Sequence, residues 1–510
     1  MKAADLRDTI RLCLPAAIVA ILLRAILLAT MPAAFVHNDT ASIVETADRL
    51  VTRGALVIEG KKTFLVPLAY SLPALVGLPI LPFAAAVQHL LGVASVFVCG
   101  LLARLWFRNW RTLVVPLTML IALQPVLLWY EHAALAETWA VFGALLVALA
   151  ASAFQRIPNR YTLAFLFVAL LFMAGARPEG RLFALFALAL VTATLWGNWR
   201  TFRVAVPATA AWTVILFLLT RTGQSGLLLF TSVLHLCPDR LHFSPGVAEA
   251  AAPVVADARE QWASDTSAPK LVPLRKALRD TLVEMQVQSG ISQGVAGDNV
   301  NRISARAGLE TAARSPFSLP ELALKKFVIA HREPPAPLFA EYAITGQLDA
   351  LYDGDSELKG LRSAPLLWGR NFTTPGEAAT FLRETYRPFP ADLTTHLQNL
   401  WLHVSLQPAL PWHLPGASIQ DVPVHGIPWL YLAAVLGMLA LAMRDPAPLG
   451  FHRIWGLFFV GLFILIMVTA NIRARFRVLF EPFWLLYAFA LFDTVIILAS
   501  RLLPRRRRTS

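Results

Sequence analysis

Leu12–Asp48 reads LCLPAAIVAILLRAILLATMPAAFVHNDTASIVETAD, and its two halves follow different rules. Leu12–Met31 is apolar apart from Arg24, and about 20 such residues suffice for a helix to cross a bilayer. Asp39 therefore stands where the chain leaves the hydrocarbon, a place where a carboxylate needs a reason. The residues after it, Thr40, Ser42, Ile43, Val44, Ala47 and Leu50, alternate polar and apolar faces as a helix lying along the interface would. Asp39 starts that helix. Capping by Asp39 or Thr40 competes on even terms with a chemical role.

Composition sets the class. A hydrophobic fraction of 57% and a mean hydropathy of +0.58 over 510 residues leave too little polar surface for a soluble globule of this size. The expected fold class is an all-α polytopic membrane protein. The net charge of +13 does not point to nucleic acid, because most of the excess Lys and Arg lies at the ends of apolar runs. The three cysteines, Cys13, Cys99 and Cys237, offer neither a disulfide framework nor a zinc pattern. The N-terminus has the charge and apolar run of a secretory signal with small residues at 32–34, but the length of the run and Arg24 favour a retained first span.

Further spans are expected at Phe83–Trp106, Thr112–Trp129, Ala134–Phe154, Tyr161–Ala174, Arg181–Trp196, Val204–Leu219, Ile427–Met443, Trp455–Ala470 and Leu479–Leu502, about ten in all. Phe64–Pro82 is apolar too, but Pro67, Pro73, Pro79 and Pro82 make it an irregular or re-entrant piece. With a cytoplasmic N-terminus, Arg7, Arg11, Arg104, Arg108, Arg111, Arg156, Arg160, Arg200, Arg203, Arg444, Arg453 and Arg505–Arg508 all fall inside. Both termini are then cytoplasmic, and Asp39, the Glu131–Glu137 loop, the Arg177 turn and residues 223–426 face outward. The domains read as 1–222, an N-terminal transmembrane module; 223–426, a mainly helical extracytoplasmic domain; and 427–510, C-terminal transmembrane helices with a basic tail. Leu271–Leu282 in the middle domain carries leucines at helical spacing. No Gly-rich phosphate loop, HExxH or Ser/His/Asp signature is present, so a nucleotide-bound donor has no support.

The chemistry-bearing residues gather on the outward side. Trp129–Glu137, WYEHAALAE, puts Glu131, His132 and Glu137 at a membrane boundary, where ionisable groups are expensive. If the stretch is helical, Glu137 lies about one and a half turns beyond Glu131, so the two point apart. Glu137, the deeper, is the one expected to share a site with Asp39, and an ion pair with a nearby arginine is its competing role. The tight turn Ala176–Arg181 brings Arg177 to the same face, where a charged connector is usually only a solvated loop. Ile472–Val478, IRARFRV, sets Arg473, Arg475 and Arg477 outside, against the inside bias for positive charge. They suit a phosphate clamp, in competition with snorkelling anchors for the last span.

This order of elements, with the Arg-x-Arg-Phe-Arg-x-x-x-x-Pro of residues 473–482, resembles the GT-C glycosyltransferases, of the protein O-mannosyltransferase and lipid A aminoarabinose transferase type. The resemblance covers residues 1–222 and 427–500 in architecture; 223–426 lies outside it. It implies a GT-C-like bundle working on a polyprenyl-phosphate-linked sugar, with membrane lipids around it and a glycan, lipid or protein acceptor. It implies Asp39 as general base, Glu137 orienting the acceptor or raising the basicity of the site, and Lys61, Lys62, Arg177, Arg473 and Arg475 at the donor phosphate, with His37, Glu131 and His132 binding the acceptor or shaping the site. No organic cofactor is expected, and a divalent cation, Mg or Mn, is left open. The implied location is a bacterial inner membrane. The rival classes are a transporter, which would carry charges deep in its spans, and a non-enzymatic envelope assembly or export factor. Arg24 and Asp493 are the deep charges in this sequence and are expected to pair.

Overall fold

The computed structural model describes residues 3–36, 38–54, 63–220, 245–264, 271–314, 364–386, 429–445, 450–469 and 478–502. The apolar run at the start forms α1, Ala3–Thr30, with Pro15 inside it. Its two faces differ. Ile10, Leu14, Ile18, Ile21, Leu22 and Ile26 are exposed, as a lipid-facing stripe must be, whereas Cys13, Ala16, Ala20, Leu23 and Leu27 are buried. The small buried residues let α1 lie close to α4, Ile80–Trp106, and α5, Trp110–Leu123, the usual way helices associate where lipid removes the hydrophobic drive. At Gly100 any added Cβ would run into the Cys13 sulfur.

After α1 comes α2, Asn38–Arg53, the amphipathic helix read from the sequence, which packs on α3, Leu65–Leu75. α3 is the proline-rich stretch. Its 11 residues are about half of what crosses a bilayer, and the chain turns at Gly77, whose φ of 72° suits glycine, before α4 starts at Ile80, just after Pro79. Beyond α5 the path bends by 50° into α6, Pro125–Glu131, and then continues through α7, Glu137–Arg156; α8, Arg160–Ala176; α9, Gly180–Leu195; and α10, Trp199–Leu219. In the middle region α11, Pro245–Ser264, α12, Leu271–Gln288, and α13, Gln293–Arg314, share a small core of Ala251, Val254, Leu278, Leu282, Val300 and Ala307. The helix expected at Leu271–Leu282 lies within α12. A further helix, α14, Pro375–Thr385, precedes the last three, α15, Trp429–Arg444, α16, Phe451–Thr469, and α17, Glu481–Leu502.

The chain is an all-α, multi-pass membrane protein. Five of the described helices, α1, α4, α7, α10 and the last, are long and apolar enough to cross a bilayer, and the bent pair α5–α6 makes up to six. Four further apolar helices, α8, α9, α15 and α16, coincide with expected spans but are shorter.

The two ends of the bundle differ in chemistry. At one end Arg111 meets Asp8 at 3.1 Å, Trp106 donates to the Ser152 hydroxyl, and Asp493 accepts from Arg444 at 2.6 Å and from the Arg108 and Asn109 backbone N–H groups. The arginine-rich ends of α4, α7 and α15 thus share one end with the start of α1. Asp493 belongs to this cluster, so the pairing expected between Arg24 and Asp493 is not formed. α1 carries Arg24 six residues from its far end, toward the opposite side of the bundle, where it meets Glu131 instead.

Candidate active site

At the end opposite the arginines the polypeptide is broken repeatedly, and the breaks converge. Gln124 accepts a hydrogen bond from the Leu127 N–H and stands before Pro125, which opens α6 without wasting a donor. The same Gln124 amide donates to Glu481 at 2.9 Å, and Glu481 also accepts from Tyr431. Glu481 precedes Pro482, the last residue of the arginine-containing motif, so the described part of that motif is anchored on the α5–α6 bend. α6 ends at Glu131, and a connector leads to Glu137 at the first turn of α7, where a carboxylate suits the helix dipole.

One short contact aligns the entry to α2 with that connector. Phe35 and Ala133 form a parallel bridge: the Phe35 N–H donates to the His132 carbonyl at 2.7 Å, and the Ala134 N–H donates to the Phe35 carbonyl at 2.9 Å. The Thr40 hydroxyl adds a bond to the Ala134 carbonyl at 3.0 Å. The backbone of Asn38 and Asp39, the first residues of α2, is thereby held beside the Glu131–Glu137 stretch. The Phe35 ring packs on Trp129, His132 and Tyr386. Tyr386, just beyond α14, donates to the Ala34 carbonyl at 3.1 Å and accepts from Trp368, so part of the inserted region is clamped onto the same strand-like segment. The side chains of His37 and Asp39, together with Lys61, Lys62, Arg473 and Arg475, lie outside the described residues.

Glu131 and Glu137 do point apart, and each meets a cation. Arg24 grips Glu131 with two bonds, Nη2 to Oε1 at 2.6 Å and Nε to Oε2 at 2.7 Å, and its remaining donor reaches the Ala20 and Ala122 carbonyls. His89 of α4 approaches the same carboxylate through Nδ1 at 3.1 Å and His132 Nδ1 through Nε2 at 3.0 Å. Glu137 lies 3.5 Å from Arg177, which also binds Glu179 at 3.0 Å, so the arginine partner weighed as Glu137's competing role is present. Burial first, and the neighbouring His89 ring second, push the His132 imidazole well below its ordinary range, which keeps it neutral at pH 7.

His89 and its neighbour Gln88 escaped the sequence reading. The available signal was a glutamine and a histidine inside an otherwise apolar run, the kind of residue that faces a bundle interior. Gln88 donates to the Ala133 carbonyl and toward the Tyr70 hydroxyl. Its Oε1, His132 Nε2 and Thr138 Oγ1 are buried with no hydrogen-bond partner. Such atoms are rare in finished interiors, and three of them here crowd one connector. Among the described residues no three His, Cys, Asp or Glu side chains are gathered as metal ligands, so the divalent ion left open by the sequence finds no ligand set there.

Gly92 makes the packing around Glu131 testable. One turn beyond His89, it leaves room for the Glu131 carboxylate, which a Cβ at that position would overlap. Arg24 pins the carboxylate and prevents it from moving aside cheaply. Gly92→Ala should therefore lower the stability of the purified protein by about 1–3 kcal/mol, the usual cost of overpacking, although alanine is the better helix former. A melting temperature at or above wild type would contradict this packing. Compared with known proteins, the chain matches no family model and none of the curated proteins.

Proposed function

We propose that this protein is a GT-C-type glycosyltransferase of about ten spans that moves a sugar from a polyprenyl-phosphate donor to a lipid, glycan or protein acceptor at the extracytoplasmic face of a cell membrane. The observation that carries the reading is the Phe35–Ala133 bridge, which sets the start of α2, and Asp39 with it, against a connector rich in buried charge and unpartnered polar atoms. In this reading Asp39 draws the proton from the acceptor as it attacks the anomeric carbon with inversion, and Glu137, held by Arg177, orients the acceptor. Lys61, Lys62, Arg473 and Arg475 supply positive charge to the departing lipid phosphate. A lipid-borne donor accounts for a site at the membrane boundary rather than in a soluble domain. Transfer of radiolabelled sugar from polyprenyl-phosphate donors by the purified protein, with mass analysis of envelope glycans in a deletion strain to find the acceptor, tests it. Unchanged glycans and no transfer from any such donor would refute it.

A transporter is the second reading, and one observation favours it. Arg24 and Glu131 form a buried ion pair inside the bundle, with His89 against the same carboxylate, a feature of proton-coupled carriers. Uptake into vesicles that depends on the proton gradient, without sugar transfer, would select it.

Orientation is tested separately. The arginine-rich end should be cytoplasmic. Reporter fusions at residue 300 and at the C-terminus should report opposite sides of the membrane. A cytoplasmic signal from residue 300 would place the site on the wrong face for a polyprenyl-phosphate sugar and overturn the enzyme reading with the topology.

A further inference from the structure

Arg24 of α1, Glu131 of α6, His89 of α4 and His132 of the connector make one continuous line of hydrogen bonds that starts inside the bundle and ends on an atom with no partner. The line has a direction, because its donors and acceptors can be counted. Glu131, chelated by Arg24, is a carboxylate and can only accept, so the proton in its contact with His89 belongs to His89 Nδ1. A neutral His89 then offers only a lone pair at Nε2, and the 3.0 Å contact requires the proton to sit on His132 Nδ1. That leaves His132 Nε2 as a bare lone pair. It is a buried nitrogen without a well-formed hydrogen bond, and the Ala33 backbone close to the ring favours its taking up a proton. A carboxylate that orients one imidazole, which orients a second, is the logic of a base held in its active tautomer, extended by one ring.

We propose that Glu131, His89 and His132 form a proton relay whose receiving atom is His132 Nε2, and that it takes up the proton the acceptor loses during transfer. The origin of that proton rests on the glycosyltransferase reading above. The steps balance. The acceptor oxygen forms its bond to the anomeric carbon while the bond from that carbon to the phosphate oxygen breaks, its electron pair leaving with the polyprenyl phosphate. The acceptor's proton passes to the Asp39 carboxylate and then to the lone pair of His132 Nε2, which frees the carboxylate for another turnover. The Nδ1–H bond of His132 breaks as the proton moves to His89 Nε2. His132 is again neutral, now protonated on Nε2, and His89 is an imidazolium against Glu131. Arg24, already on the same carboxylate, keeps that stored charge short-lived: the proton returns from His89 Nε2 to His132 Nδ1 while the Nε2 proton of His132 leaves to water after the product has gone, which restores both starting tautomers. Among the described residues, the other titratable groups in contact with this cluster or its immediate partners are Tyr70 of α3 through Gln88, Glu137 of α7 through Tyr70, and Tyr386 through Phe35.

The test is nitrogen NMR on full-length protein in nanodiscs with labelled histidine. The coupling across the His89–His132 hydrogen bond identifies the two rings without a variant among the 11 histidines. At pH 7 His132 should carry its proton on Nδ1 with a bare Nε2, and on acidification His89 should become the imidazolium while His132 shifts its proton to Nε2. His132 protonated on Nε2 at pH 7, with His89 neutral, overturns the relay. In multiple-turnover transfer, His132→Asn and His89→Asn should each be slower by about a hundredfold at unchanged donor affinity, the lower end of what acid–base groups contribute, while a single turnover, in which Asp39 alone takes the proton, keeps its rate. Wild-type multiple-turnover rates in both also overturn it. The two readings fail separately: normal transfer with the wrong tautomer removes the relay alone, and the right tautomer without any transfer removes the glycosyltransferase and with it the source assigned to the proton.

Discussion

Arg24→Leu is expected to destabilise the protein by about 3–5 kcal/mol, although it replaces a charge in the first span with the residue a bilayer prefers. Insertion energetics argue the other way, because an arginine in a span costs up to roughly 2.5–3.5 kcal/mol, the figure for the centre of the bilayer, and a leucine is favourable. The sign of the result therefore decides which effect wins. Arg24 is 3% exposed and spends its donors on both Glu131 oxygens and two backbone carbonyls, so removing it strands a carboxylate in the interior with only His89 for a partner. A buried charge that loses its partner costs more than the pair contributed. The double variant Arg24→Met with Glu131→Gln removes both charges and keeps an acceptor for His89, and should recover most of the loss. Thermal or denaturant midpoints of the purified variants in one detergent give the comparison. An Arg24→Leu protein as stable as wild type would mean that Glu131 is not held as described.

Much of this architecture was legible in the sequence, because its strongest signals are periodic. Apolar runs mark where α1, α4, α7, α10 and α17 lie, and the alternation after Asp39 marks α2. Four prolines ruled out a regular spanning helix from Phe64 to Pro82, and α3 is correspondingly short. The partners of the deep charges were not legible. Arg24 and Asp493 look alike in a hydropathy profile, yet the direction of each helix puts them near opposite ends of the bundle, and pairing depends on that three-dimensional position. Glu131 and Glu137 could be separated by helical phase, but the break between α6 and α7 could not be foreseen. That break is what sends one carboxylate inward to Arg24 and the other to Arg177. His89 stayed hidden because a single histidine in an apolar run reads as an interruption until Glu131 and His132 are seen on either side of it.

Asp39→Asn is the second large effect, expected in activity rather than stability. Asparagine matches aspartate in size and caps helices about as well, so α2 should keep its start and the Phe35–Ala133 bridge its register. What asparagine cannot do is accept a proton. Folding and membrane insertion should stay normal, while transfer falls by roughly two to four orders of magnitude, the range for loss of a general base. Glu137→Gln should cost less, since an orienting group keeps a hydrogen bond after its charge is removed. The most direct measurement of the central claim is transfer from a polyprenyl-phosphate sugar by purified wild type and Asp39→Asn, with melting temperatures recorded on the same samples. The account predicts equal melting temperatures and a turnover in Asp39→Asn at least a hundredfold below wild type; equal turnover in the two well-folded proteins would contradict it.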